Sequence, residues 1–163
     1  MTSIDAYATR RDAVTGYTLL RLALGFSIFF HGVQRFAIGL DRFARPEIAA
    51  FAHVPGMPVA LVPFVVYLIP IVETIAGAAI LLGFVTYYGL LAEGILMLVL
   101  IFGTCMQGNW AVLAMQIPYP VIIFLLLMTS KLNVISVDGL FARAQRGVTT
   151  TRARRERDGA HSA

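Results

Sequence analysis

Two carboxylates stand where carboxylates are costly. Glu73 sits in the middle of PFVVYLIPIVETIAGAAILLG, and Glu93 sits in an apolar run that begins after the next turn. A charge at the centre of a bilayer costs several kcal/mol unless it is paired or neutralised, so intramembrane ionisable groups mark function or tight pairing. Arg21, early in the first apolar run, is the expected partner of both. One guanidinium cannot neutralise two close acids, so a proton or a ligand is expected to complete the balance. A second polar layer follows from His31 and Arg35 on adjacent turns, together with Asn109, Trp110, Gln116 and Tyr119. That set suits the head group of an amphiphile such as a quinone, with Trp110, Tyr119 and Phe30 as walls.

These residues need membrane spans to hold them. The chain has 163 residues, 58% of them hydrophobic and 13% charged. Its mean hydropathy is +0.78. A soluble domain of this size carries about 25% charged residues, so the composition indicates an integral membrane protein with one bundle and no second folded domain. At roughly 1.5 Å per residue, about 20 apolar residues cross a hydrocarbon core of ~30 Å. Four stretches meet that length, at about 16–36, 59–82, 85–106 and 111–128. The last is interrupted by Gln116, Pro118 and Pro120. The expected fold is an all-α, integral membrane four-helix bundle covering 16–130. No cleavable signal peptide is expected, because the first stretch is too long and too polar-studded.

The flanks complete the plan. Residues 1–15 are polar. Residues 37–58 alternate charged and apolar side chains and predict a short amphipathic helix at the interface, in the first external loop. Basic residues cluster at both ends: Arg10 and Arg11 at one, and Lys131, Arg143, Arg146, Arg152, Arg154, Arg155 and Arg157 at the other. The positive-inside rule places both termini in the cytoplasm. The net charge of +4 is thereby explained by topology and contact with anionic lipids, not by nucleic acid. The segment 134–146 can hold a short helix, and the end of the tail reads as disordered.

Depth follows from topology. Arg21 is expected about 8 Å into the membrane from the cytoplasmic side, Glu73 about 13 Å and Glu93 about 12 Å. This predicts an Arg21–Glu73–Glu93 cluster within the bundle. On the first span, Gly25, Gly32 and Arg35 share the azimuth of Arg21, and His31 lies beside them. Such a small and polar stripe is a helix-packing face. The competing reading of the cluster is helix glue without chemistry. His31 alone is weak evidence for heme, and Cys105 with Met97 and Met106 is weak evidence for copper. No heme or metal is expected.

The segments LLRLALGFSIFFHGVQRF, PIVETIAGAAILLGFVT and SVDGL resemble the DoxX/DoxD family of small four-span membrane proteins. The matching pieces are Arg21, Gly25, His31, Gly32, Arg35, Glu73, Gly77, Gly83, Ser136 and Asp138, over 17–141. The resemblance implies a bacterial or archaeal cytoplasmic membrane location. It also implies kinship with the membrane subunits of thiosulfate:quinone oxidoreductase, which oxidise thiosulfate to tetrathionate and pass electrons to quinone. Other members are associated with oxidative-stress complexes. Thr86-Tyr87 stand where many members have an arginine, and Lys131-Leu132-Asn133 where many have Gly-Pro-Gly. These departures bear on the thiosulfate-oxidising branch, not on the broader family.

The expected function is therefore a subunit of a quinone-linked redox or respiratory complex, with lipids and other protein subunits as partners. Arg21, Glu73 and Glu93 would handle charge and protons. His31, Arg35, Trp110, Gln116 and Tyr119 would hold the quinone. No redox centre is evident in the chain. The alternatives are a scaffold for a larger complex or a small-solute carrier, although carriers more often show two related halves.

Overall fold

Apolar runs without internal breakers become long helices, and the few breakers set their ends. The structure is a computed structural model describing residues 3–141, 143 and 144. It is all-helical among those residues. The helices are α1 (Ser3–Ile38), α2 (Leu40–Phe51), α3 (Val62–Leu82), α4 (Thr86–Met106), α5 (Trp110–Gln116) and α6 (Pro118–Met128), with a 3-10 turn at Ser130–Leu132. Four helical stretches have the length and apolarity to cross a membrane, the fourth being the α5–α6 pair. Arg146, Arg152, Arg154, Arg155 and Arg157, and the tail read as disordered, lie outside the described residues.

The bundle closes as a ring. α1 packs on α3, α3 on α4, α4 on α6, and α6 returns to α1. Leu24, Ile28, Ile80, Leu90, Met97, Ile123 and Leu126 form the centre. Large apolar side chains such as Leu19, Phe64, Ile75, Leu98 and Phe124 face outward, more than half exposed. That arrangement suits hydrocarbon as the surrounding solvent.

The α1·α3 contact is the most extensive in the bundle, and small residues let the two backbones approach. Gly25 faces Leu81, Gly77 faces Phe29 and Gly32 faces Thr74, each pair of numbers totalling 106. This antiparallel register decides which polar residues share a layer. A Cβ on Gly77 would meet the Phe29 backbone, which cannot move aside as a side chain can. Gly77→Val is therefore expected to destabilise the bundle by about 1–3 kcal/mol. A detergent-solubilised melting curve checks this, and an unchanged midpoint would contradict the register.

Three local devices complete the frame. α1 runs unbroken from Ser3, through the polar residues that precede the first span, because Gly16 alone does not stop a helix otherwise rich in helix-compatible residues. α2 is the amphipathic helix anticipated between the first two spans, and it continues through Pro46. It docks on α3 through Ala44 against Val62 and Val66, and through the Tyr67 hydroxyl donating to Asp41 at 2.6 Å. The fourth span breaks at Ile117, because Pro118 and Pro120 have no N–H to continue the ladder. The Asn109 side chain caps α5 by accepting from the Val112 amide at 3.3 Å.

Candidate functional site

The α1·α3 register places Glu73 level with residue 33, so Arg35 is within one turn of it. Arg35 forms a salt bridge with Glu73, and its guanidinium lies 4.6 Å from the centre of the Phe43 ring. Glu73 is 4% exposed and Glu93 is 1% exposed. α4 brings Glu93 to the same layer, where Gly89 lets it approach Ala79 and Ile80 of α3 one turn away. Glu93 is close enough to Glu73 and Arg35 to feel their charges. One oxygen of Glu93, Oε2, is buried and has no hydrogen-bond partner among the described residues. Two acids and one guanidinium therefore share a low-dielectric layer. With both acids ionised, such a set is one positive charge short of neutrality.

Arg21 is not part of this layer, which corrects the expected Arg21–Glu73–Glu93 cluster. On the register it stands level with residue 85, roughly 18 Å along the helix axis from the level of Glu73. Its guanidinium donates to the carbonyls of Ile80 at 2.5 Å, Leu81 at 2.9 Å and Ile135 at 3.1 Å. It thus satisfies the free Leu81 carbonyl, adds a charged donor to the Ile80 carbonyl that also accepts from the Gly83 amide, and ties the segment after α6 to the bundle. Asp138 does the reciprocal job at the start of α4. Its carboxylate accepts from the Val85 amide at 2.8 Å, the Thr86 amide at 3.0 Å and the Thr86 hydroxyl at 2.8 Å. The turn between them needs this support, with Gly83 at φ 68° and Val85 at φ 45°. Positive φ is strained for a β-branched residue.

A cavity of about 570 Å³ opens beside Arg35. Phe43 and Phe51 of α2, Val62 and Val66 of α3, and Leu100 and Phe102 of α4 give it apolar walls. Arg35, Glu47, Thr104, Gln107, Asn109 and Gln116 supply its polar groups. Gln116 Oε1 is buried without a partner among the described residues. The helix break at Ile117 is what places this amide at the wall.

Of the residues expected to hold a head group, Arg35 and Gln116 line the cavity, and three others do not. His31 is exposed on the outside of α1. Trp110 is 68% exposed, and its neighbours Asn109 and Val112 line the cavity instead. Tyr119 turns to α1, where its hydroxyl is 3.1 Å from that of Ser27. Phe30 is also exposed and forms no wall. Sequence reasoning missed Phe43 as the ring beneath Arg35, and Asp138 as a cap. The spacing of Gly25, Gly32 and Gly77 was the signal that could have found the Arg35–Glu73 pair, since it fixes the register.

The family model for DoxX matches residues 16–105, more than half of the chain. The chain belongs to the DoxX family. No curated protein and no solved structure matches it. The matched region of this DoxX protein carries Arg21, His31, Arg35, Glu73 and Glu93, while Gln116 and Asp138 lie beyond it. With four apolar helices, it is a multi-pass membrane protein.

Proposed function

We propose that this DoxX protein is the membrane subunit of a quinone-linked redox complex, with both termini in the cytoplasm of a bacterial or archaeal cell. The observation that carries the proposal is the cavity beside Arg35. Its volume and apolar walls suit an amphiphile's ring and first chain units. The residues fit a quinone head. Arg35 donates to a carbonyl oxygen, and the unpartnered Gln116 Oε1 accepts from a hydroxyl. A bound quinone would supply two-electron, two-proton acceptor chemistry. The Arg35–Glu73 pair orients the donor, and Glu93 holds a proton one layer behind the cavity wall. Electrons would come from a partner subunit.

Gln116→Leu tests this reading. It keeps the side chain's bulk and removes the acceptor, so quinone co-purifying with the protein is expected to fall about tenfold, with the melting midpoint held within a degree or two. Quinone retained at the parental level would refute the reading.

A second reading, a scaffold within a larger complex, is favoured by the fourth span, of whose most apolar window only 11% is buried. Under it, Gln116→Leu leaves quinone unchanged, and polar substitutions on the outer face of α6, such as Phe124→Ser, release partner subunits.

A further inference from the structure

A second cavity lies at the opposite end of the bundle, where α3 finishes and α4 begins. It measures about 350 Å³ and is lined by Tyr17, Thr86, Lys131, Asn133, Asp138 and Arg143 among others. None of these residues takes part in the Arg35 site. Two cations, one carboxylate and a phenol therefore converge on one space.

The carboxylate is already committed. Asp138 accepts from the amides and hydroxyl at the start of α4, so its charge is turned toward the helix end. Lys131 and Arg143 are exposed at the rim and available to a ligand. Tyr17 is 5% exposed, and its hydroxyl is buried with no hydrogen-bond partner among the described residues. A buried phenol left unpaired carries a real cost, and a ligand oxygen would remove it. Asn133 Oδ1 is likewise buried and unpaired, while its amide nitrogen donates to the Thr86 hydroxyl at 2.9 Å. The uncommitted groups thus comprise three donors for an anion and one acceptor for a hydroxyl.

Exposed apolar side chains surround the cavity in sequence. Ile135, Leu140 and Phe141 are 58%, 64% and 59% exposed, on a segment helical over 137–141. At the end of four apolar helices, such a segment suits headgroup depth.

We infer that this cavity binds a phosphate-bearing anion that also carries a hydroxyl, the chemistry presented by a glycerol-phosphate lipid headgroup or by a soluble glycerophosphate. Lys131 and Arg143 hold the phosphate, the Tyr17 hydroxyl donates to it, and Asn133 Oδ1 accepts from the hydroxyl.

The test is binding to the full-length protein in neutral detergent, read by native mass spectrometry and by the melting midpoint. The probes are phosphatidylglycerol, phosphatidylcholine, glycerol-3-phosphate and inorganic phosphate. Saturable phosphatidylglycerol binding is expected, at least tenfold tighter than phosphatidylcholine. Lys131→Ala with Arg143→Ala is expected to weaken it at least tenfold, and Tyr17→Phe about threefold to tenfold. Replacing Arg152, Arg154, Arg155 and Arg157 together by alanine should leave the saturable site intact, which separates it from general attraction of the tail. If glycerol-3-phosphate competes at comparable concentration, the source is soluble; if it does not, the source is the lipid. Equal binding of both lipids with no saturable soluble ligand, or binding unaffected by the Lys131/Arg143 pair of substitutions, overturns the inference.

Discussion

Arg35→Ala is expected to lower stability by about 3–5 kcal/mol and to cut the yield of monodisperse protein severely. The substitution leaves Glu73 buried without its counter-charge, and removing one partner of a buried pair costs that much because the other charge remains. It also places two uncompensated acids, Glu73 and Glu93, in one layer. The diagnostic result is rescue. Arg35→Ala combined with Glu73→Gln removes both charges and should recover most of the loss, since a buried pair contributes little over neutral side chains of similar volume. Glu93→Gln alone should cost under about 1 kcal/mol, because no hydrogen bond to Glu93 Oε2 is lost and a neutral amide is tolerated wherever a protonated carboxyl is. Melting curves of these three variants and the parent protein in one detergent decide the matter. A mild Arg35→Ala with no rescue would mean that Glu73 is not paired as described.

Arg21→Ala is the other large effect, and it should look different. Three carbonyls lose a charged donor at once, at the point where α3, the 83–85 turn and the segment after α6 meet. Hydrogen bonds to charged groups contribute about 1.5–3 kcal/mol each, and bonds sharing one guanidinium do not add fully. A loss of about 3 kcal/mol is expected, with the segment 130–141 becoming protease-sensitive before the spans unfold. Arg21→Lys should restore little, because an ammonium cannot span three acceptors arranged for a fork. Asp138→Ala should open the same segment, and the double variant should be less than additive. Digestion mapped by mass spectrometry reads this directly. Cleavage confined to the loop between α2 and α3 would contradict the assignment.

Much of this architecture was legible in residues. Composition and run length dictated four spans, and the alternation around Phe43 and Ile48 dictated α2. Pro118 and Pro120 dictated the break in the fourth span. The stripe of Gly25, Gly32 and Arg35 marked the α1 face that packs on α3. What failed was depth. Counting from the polar edge of the first apolar run set Arg21 too far in, because α1 has no edge at Gly16 and its register is fixed by glycine contacts instead. Backbone carbonyls, the true partners of Arg21, leave no trace in a one-letter sequence. A charged partner therefore looked necessary when a helix end was sufficient. His31 failed for a related reason. It neighbours the stripe by angle, yet the 40° separating it from Arg35 is enough to turn it outward. Gln116 does line a cavity, and the sequence hint was plain: an amide beside two prolines in an apolar span needs an explanation.

The length of α1 has a mechanical meaning. Its 36 residues exceed the 21 of α3, and the excess all lies on the side of Tyr17. Residues 3–14 continue past the level of that tyrosine for roughly 18 Å as helix. The side chains over 8–13 are outward-facing. This portion is a spacer of fixed length rigidly joined to the membrane anchor. Whatever attaches to it would be set off from the membrane by the length of this helix, and no break in the helical ladder separates it from the level of Arg35.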